Sequence, residues 1–182
     1  YPLAMISFTS ADTHLLINPR MPADGQYLCR RLVNESPLLS GHVWMATSGS
    51  SGVMKLVALS KEALLASAAA VNRHLHVTRQ DRWCLTLPTF HVGGLGIEAR
   101  AFLAGNEVVT MERWNAAGFA ATCEAQGVTL SALVPAHVSD LVRDRLQSPP
   151  GLRAIVIGGG ALDEELYLSA RSLGWNLLPS YG

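Results

Sequence analysis

The 182-residue sequence predicts an α/β fold, a mostly parallel sheet with helices on both faces. Runs of β-type apolar residues begin at positions 83, 107, 129, 153 and 176, a step of about 22–24 residues. Segments with helical spacing fill the intervals, several opened by an N-cap residue or Pro and followed by Gly127 or Gly174. A parallel strand pair needs a crossover of a dozen or more residues, so strand, helix, strand at this pitch marks βαβ units.

Taken in order, residues 1–39 are broken by Pro2, Pro19, Pro22, Gly25 and Pro37, and only one helix is predicted there, near Gln26–Val33. Residues 1–41 therefore form an unassigned N-terminal segment. His42–Thr47 reads as a strand, Ser48–Met54 as a polar loop and Lys55–Leu59 as a second strand. The loop is too short for a crossover helix, which predicts a hairpin. Ser60 caps an Ala/Leu-rich helix running to about Val77. The parallel strands follow at Trp83–Leu87, Glu107–Thr110, Thr129–Val134, Arg153–Ile157 and Asn176–Leu178. Helices are expected after Gly93–Gly94 and over Asn115–Gln126, Pro135–Leu146 and Asp163–Leu173.

Fourteen Lys+Arg balance fourteen Asp+Glu. No sequence-wide positive field is available to hold a nucleic acid or an anionic membrane, so neither is an expected partner. Cys29, Cys84 and Cys123 are odd in number and lack CxxC spacing, which argues against a disulfide framework and a zinc site. No metal ligands are assigned. The most apolar stretch, Ala63–Val71, is too short to span a bilayer, and the first residues lack a signal-peptide pattern, so the expected location is cytoplasmic. A homo-oligomer is compatible with the sequence. Tyr1 in place of Met points to a start further upstream.

Thr47-Ser48-Gly49-Ser50-Ser51-Gly52-Val53-Met54-Lys55 gathers four hydroxyls, two glycines and one lysine in nine residues. A triphosphate needs donors that converge at short range: glycines let backbone N–H groups approach, hydroxyls rotate to donate, and lysine adds a point charge. It is not a Walker loop, because Met54 stands before the lysine where Gly is required and Leu56 after it where Ser or Thr is required. The segment resembles the phosphate loop of the adenylate-forming superfamily, which includes acyl-CoA ligases, luciferases and adenylation domains. Met54 and Leu56 depart from the Pro and Gly usual in that loop.

Three further segments resemble the same family in the same order. Leu87-Pro88-Thr89-Phe90-His91-Val92-Gly93-Gly94-Leu95 is similar to its acid-pocket motif, which implies that His91 is a gate and polar wall, beside Gly93 and Gly94. Gly159-Gly160-Ala161-Leu162 looks like its adenine loop, and Pro179-Ser180-Tyr181-Gly182 like the opening of its Tyr-Gly-x-Thr-Glu motif. The resemblance covers residues 42–182, read as a partial AMP-binding domain, the N-terminal part of the family's large domain. It implies that the Thr and Glu of the last motif, the mobile C-terminal domain and its catalytic Lys lie beyond this sequence. No catalytic residue is assigned within it, and the chain alone is expected to be inactive.

By resemblance, the complete enzyme uses ATP and Mg2+ to convert a small-molecule carboxylic acid to an acyl-adenylate, then passes the acyl group to coenzyme A. The run from Phe90 to Leu95, with Arg100 nine residues after His91, is most like o-succinylbenzoate-CoA ligases of menaquinone biosynthesis. Such an acid keeps a second carboxylate, for which Arg100 is a bidentate partner; the other reading of Arg100 is a solvated helix residue. A fatty- or aryl-acid-CoA ligase, a carrier-protein adenylation domain and a non-catalytic nucleotide-binding fragment are the alternatives. A Rossmann dehydrogenase would need an acidic residue near Leu177 and Leu178, and a serine hydrolase a G-x-S-x-G elbow around Ser50 or Ser51.

Overall fold

The computed structural model describes residues 6–47 and 54–180. The chain divides into two compact units, Tyr1–Ser67 and Ala68–Gly182.

The first unit holds strand β1 (His14–Leu16), helix α1 (Ala23–Asn34), a 3-10 turn at Pro37–Leu39, and strands β2 (Val43–Thr47) and β3 (Lys55–Leu59). The order is β1-β2-β3. The predicted hairpin is present, with β2 and β3 antiparallel and Thr47 opposite Lys55. Strand β1, parallel to β2, was not expected: three residues are too few to show a period of two. Val43, Trp44 and Met45 on β2 and Cys29 on α1 are buried. Helix α2 (Lys61–His74) begins in this unit, and its entry is capped as expected, Ala63 N–H donating to Ser60 Oγ at 3.1 Å. It ends three residues short of the predicted Val77, where His76 takes a positive φ of 49°.

The second unit is an all-parallel sheet of β4 (Arg82–Leu85), β5 (Glu107–Thr110), β6 (Leu130–Leu133), β7 (Ala154–Ile157) and β8 (Leu177–Pro179), in the order β5-β4-β6-β7-β8. Each of the five predicted strands is present. The crossovers are α3 (Val92–Ala104), α4 (Ala116–Ala125), α5 (Pro135–Arg143) and α6 (Glu164–Ser172). From β4 the chain steps to β5 and then returns past β4 to β6, β7 and β8. With right-handed crossovers this reversal places α3 on one face and the later helices on the other.

The core shows that division residue by residue. Trp83, Leu85, Leu130, Ala132 and Ala154 cluster with Ile97 and Ala101 of α3 and with Leu75. Their strand neighbours Cys84, Leu133, Ile155, Ile157 and Leu177 cluster with Phe119, Cys123, Val138, Leu141 and Ala170 of the opposite layer. Alternation along the strands thus covers both faces, as a parallel sheet requires.

At the N-terminal ends of the strands Asp81 is buried and fully engaged. Its carboxylate accepts Arg153 Nε at 2.8 Å and Nη2 at 2.9 Å, the Thr78 N–H at 2.8 Å and Thr129 Oγ1 at 2.7 Å. Arg153 Nη1 also donates to the Leu75 carbonyl at 2.6 Å. Burial works to raise the Asp81 carboxyl, but Arg153, Thr78 and Thr129 overcome it and hold the group far below the usual carboxylate range.

Candidate active site

Within the first unit, the hairpin register brings Thr47 and Lys55 to the two ends of the predicted phosphate loop, and both are exposed. Thr47 Oγ1 donates to the Lys55 carbonyl at 3.5 Å, a weak bond that a phosphate oxygen could displace. Ser48, Gly49, Ser50, Ser51 and Gly52 lie outside the described residues.

Within the second unit, the chain reversal makes the C-terminal ends of β4 and β6 a topological switch point, where open parallel sheets bind ligands. The segment after β4 is tied to β6 there, Thr86 Oγ1 donating to the Ala132 carbonyl at 3.1 Å, with Thr89 buried behind it. His91 follows as the exposed N-cap residue of α3, its ring 4.6 Å from that of Phe90. A Cβ on Gly94 would stand 2.4 Å from the Pro88 carbonyl oxygen and 2.5 Å from that of Leu87. Only glycine lets the first turn of α3 lie this close to the loop, so Gly94 sets the position of the helix below His91.

The segment after β7 runs over the same edge of the sheet. Gly158 N–H donates to the Leu133 carbonyl at 3.2 Å; Gly159 has φ +77°, a conformation that favours glycine, and a Cβ there would meet Val134 Cγ1 tightly at 3.1 Å. Gly159, Gly160 and Ala161 are exposed, so their backbone is open to a flat ligand. Beside them the Ser180 N–H and Oγ both donate to the Ile157 carbonyl at 2.8 Å. Tyr181 and Gly182 lie outside the described residues.

Arg100 lies nine residues along α3 from His91, roughly 13 Å by the rise of the helix. It is half-buried rather than solvated. The guanidinium carbon stands over the Trp83 ring at 5.5 Å from its centre. Nε and Nη1 are buried and, among the described residues, without a hydrogen-bond partner or paired carboxylate. Burial lowers the Arg100 pKa to about 10, still charged at neutrality. Glu98, two residues away, does not share its face and is itself raised by burial.

A cavity of about 270 Å3 opens on the α3 side of the sheet, lined by Ala70, Val71, His74, Leu178 and Ser180 among others. None of the predicted pocket residues His91, Gly93, Gly94 and Arg100 lines it. Among the described residues no three His, Cys, Asp or Glu side chains gather as metal ligands, and no helix is long and apolar enough to cross a membrane.

The second unit thus carries an exposed glycine ledge at its switch point and, on α3, a half-buried cation without a hydrogen-bond partner at Nε and Nη1 among the described residues. Residues 39–182 match the AMP-binding enzyme family, and the chain belongs to that family. It is 35% identical over 136 residues to the 2-succinylbenzoate–CoA ligase of Escherichia coli K12, covering 75% of this chain and 29% of that protein. It is 30% identical over 138 residues to the Bacillus subtilis 168 ligase of the same name, covering 76% of this chain and 28% of that protein. The B. subtilis o-succinylbenzoate CoA synthetase in complex with its acyl-adenylate intermediate superposes with a TM-score of 0.72 at 29% identity, over 77% of this chain and 37% of that one. The same synthetase with ATP and magnesium gives 0.72 at 29% identity, over 77% of this chain and 30% of that one. The chain thus spans less than a third of the length of these two curated relatives.

Proposed function

We propose that this chain is the nucleotide- and acid-binding part of an ATP-dependent carboxylic acid:CoA ligase, and that the acid is o-succinylbenzoate. The observation that carries the choice of acid is Arg100, a charged guanidinium with free buried N–H donors about two and a half helical turns from His91. A buried cation without a counter-ion is costly, and a substrate that keeps a second carboxylate supplies the missing partner. The named relatives, which are ligases or synthetases for this acid, support the same reading.

The chemistry asks for position and charge rather than a protein nucleophile. A carboxylate and a triphosphate repel each other, so donors must spread the negative charge while the acid oxygen is aligned with the α-phosphorus. Thr47, Ser48, Gly49, Ser50, Ser51, Gly52 and Lys55 would hold the phosphates. The ledge of Gly159, Gly160 and Ala161, with Tyr181 and Gly182, would hold the adenine. His91 would close the mouth of the acid pocket, with Gly93 and Gly94 placing α3 beneath it. Magnesium, when bound, would neutralise part of the phosphate charge; no residue of this chain is assigned to hold it. The three cysteines are free and buried, consistent with a reducing cytoplasm.

The test is pyrophosphate exchange by the complete ligase with o-succinylbenzoate and with an analogue lacking the second carboxylate. Arg100→Leu is expected to cost about 10–100-fold in kcat/KM for the dicarboxylic acid and little for the analogue. Equal losses on both acids would place Arg100 outside the specificity site. Ser51→Ala is expected to weaken adenylate formation with the melting point nearly unchanged; a melted protein that still binds ATP would make the loop structural. The 182-residue chain alone is expected to form no thioester, and acyl-CoA made by it would refute that.

A further inference from the structure

We infer that Trp83 is a positioning residue for acid selection, holding the Arg100 guanidinium over its ring so that the buried Nε and Nη1 donors are kept free of protein partners for a substrate carboxylate. This inference rests on the reading of Arg100 given above. An arginine can be fixed in two ways. A protein carboxylate fixes it through its N–H edge and consumes the donors; an aromatic ring fixes it through its face and leaves them free. Arg153 is held in the first manner, with Nε and Nη2 on Asp81. Arg100 is held in the second, over Trp83, with Nε and Nη1 unpartnered among the described residues.

Two further residues complete the cradle. Helical side chains lean toward the N-terminus, so the guanidinium lies back along α3 past Gly96. A Cβ there would meet Arg100 Nη2 at 3.3 Å, so Gly96 leaves the space that the cation occupies. Asn72, in the last turn of α2, donates Nδ2 to the Arg100 carbonyl at 2.9 Å and fixes the helix at the same level. Trp83 itself is fully buried on β4 and cannot swing away. Ring, gap and backbone anchor together fix the direction in which the free edge faces.

The experiment measures KM and kcat of the complete ligase for o-succinylbenzoate and for its one-carboxylate analogue in Trp83→Leu, Trp83→Phe and Asn72→Leu, with Arg100→Leu as reference. Trp83→Leu is expected to raise KM for the dicarboxylic acid about tenfold with kcat little changed, and to leave the analogue's KM within about twofold. Trp83→Phe, which keeps a π face, should restore most of the affinity. Asn72→Leu should show the same selective rise at roughly a third of the size. If Trp83→Leu does not fold, the Phe and Asn72 variants decide alone. Equal effects on both acids, or none on either, while Arg100→Leu remains selective, would overturn the role of Trp83 and leave that of Arg100 standing. Loss of selectivity in Arg100→Leu itself would overturn both.

Discussion

Arg153 and Arg100 pack on the same five-stranded unit, yet one guanidinium bonds through all three of its nitrogens and the other has two buried nitrogens without a partner among the described residues. Arg153 closes on Asp81 and on the Leu75 carbonyl, tying the starts of β4 and β7 to the end of α2. Arg100 has the Trp83 indole below it and, among the described residues, no carboxylate. The first arrangement is what stability selects, because a buried carboxylate that accepts several hydrogen bonds is expensive to strip of its partners. The second costs stability and is the kind of local inconsistency expected at a binding site.

The contrast breaks first at Asp81. Asp81→Asn keeps the shape but removes the charge that Arg153 and two threonines converge on. The loss is expected to be about 2–3 kcal/mol, since hydrogen bonds to a charged group are worth that much and the donors converging on buried Asp81 would lose their charged acceptor. Thermal melting should fall by roughly 5–10 °C in a domain of this size. A variant as stable as the wild type would mean that the clasp contributes nothing and that the two arginines do not differ in kind.

Arg100→Leu should move stability the other way. Removing an uncompensated half-buried charge and filling the space with a hydrocarbon is expected to stabilise the ligand-free protein by about 1 kcal/mol, raising Tm by about 2–4 °C. A calorimetric scan without substrate reads this directly. A fall in Tm would show that the indole more than offsets the desolvation of the cation.

These two sites also show what could be read in the sequence. The parallel strands were legible because their spacing and apolar runs are local properties, and the hairpin because a loop of seven residues excludes a crossover. The glycines at 94 and 159 were placed from their motifs, and the close approaches that require them follow from the fold. For Arg100 the sequence allows both a solvated helix residue and a pocket residue, since a helix pattern shows which face a side chain is on but not what lies opposite. Trp83, Gly96 and Asn72 were invisible for the same reason: the contact joins α2, β4 and α3 across gaps in sequence that no local pattern spans. Asp81 and Arg153, 72 residues apart, were equally unreadable.

The smallest effects, and the sharpest comparison, lie in how the two sites titrate. Asp81 is depressed below its ordinary value of 3.8 in the folded protein, so its contribution is complete above that pH and is lost as pH falls through the lower folded value. The gap in stability between wild type and Asp81→Asn should therefore be flat from about pH 8 to 5 and close only below about pH 4. Arg100 gives the opposite pattern. Burial pulls its pKa down to about 10, yet a guanidinium keeps its proton at neutral pH and well to either side of it, so its charge does not change there. The advantage of Arg100→Leu should therefore be level from about pH 5 to 9. Urea melts of the three proteins at about pH 3, 5, 7 and 9 test both expectations. An Arg100→Leu advantage that varies over about pH 5–9 would mean that a neighbouring titrating group, and not burial of an unpaired cation, sets the energy of Arg100.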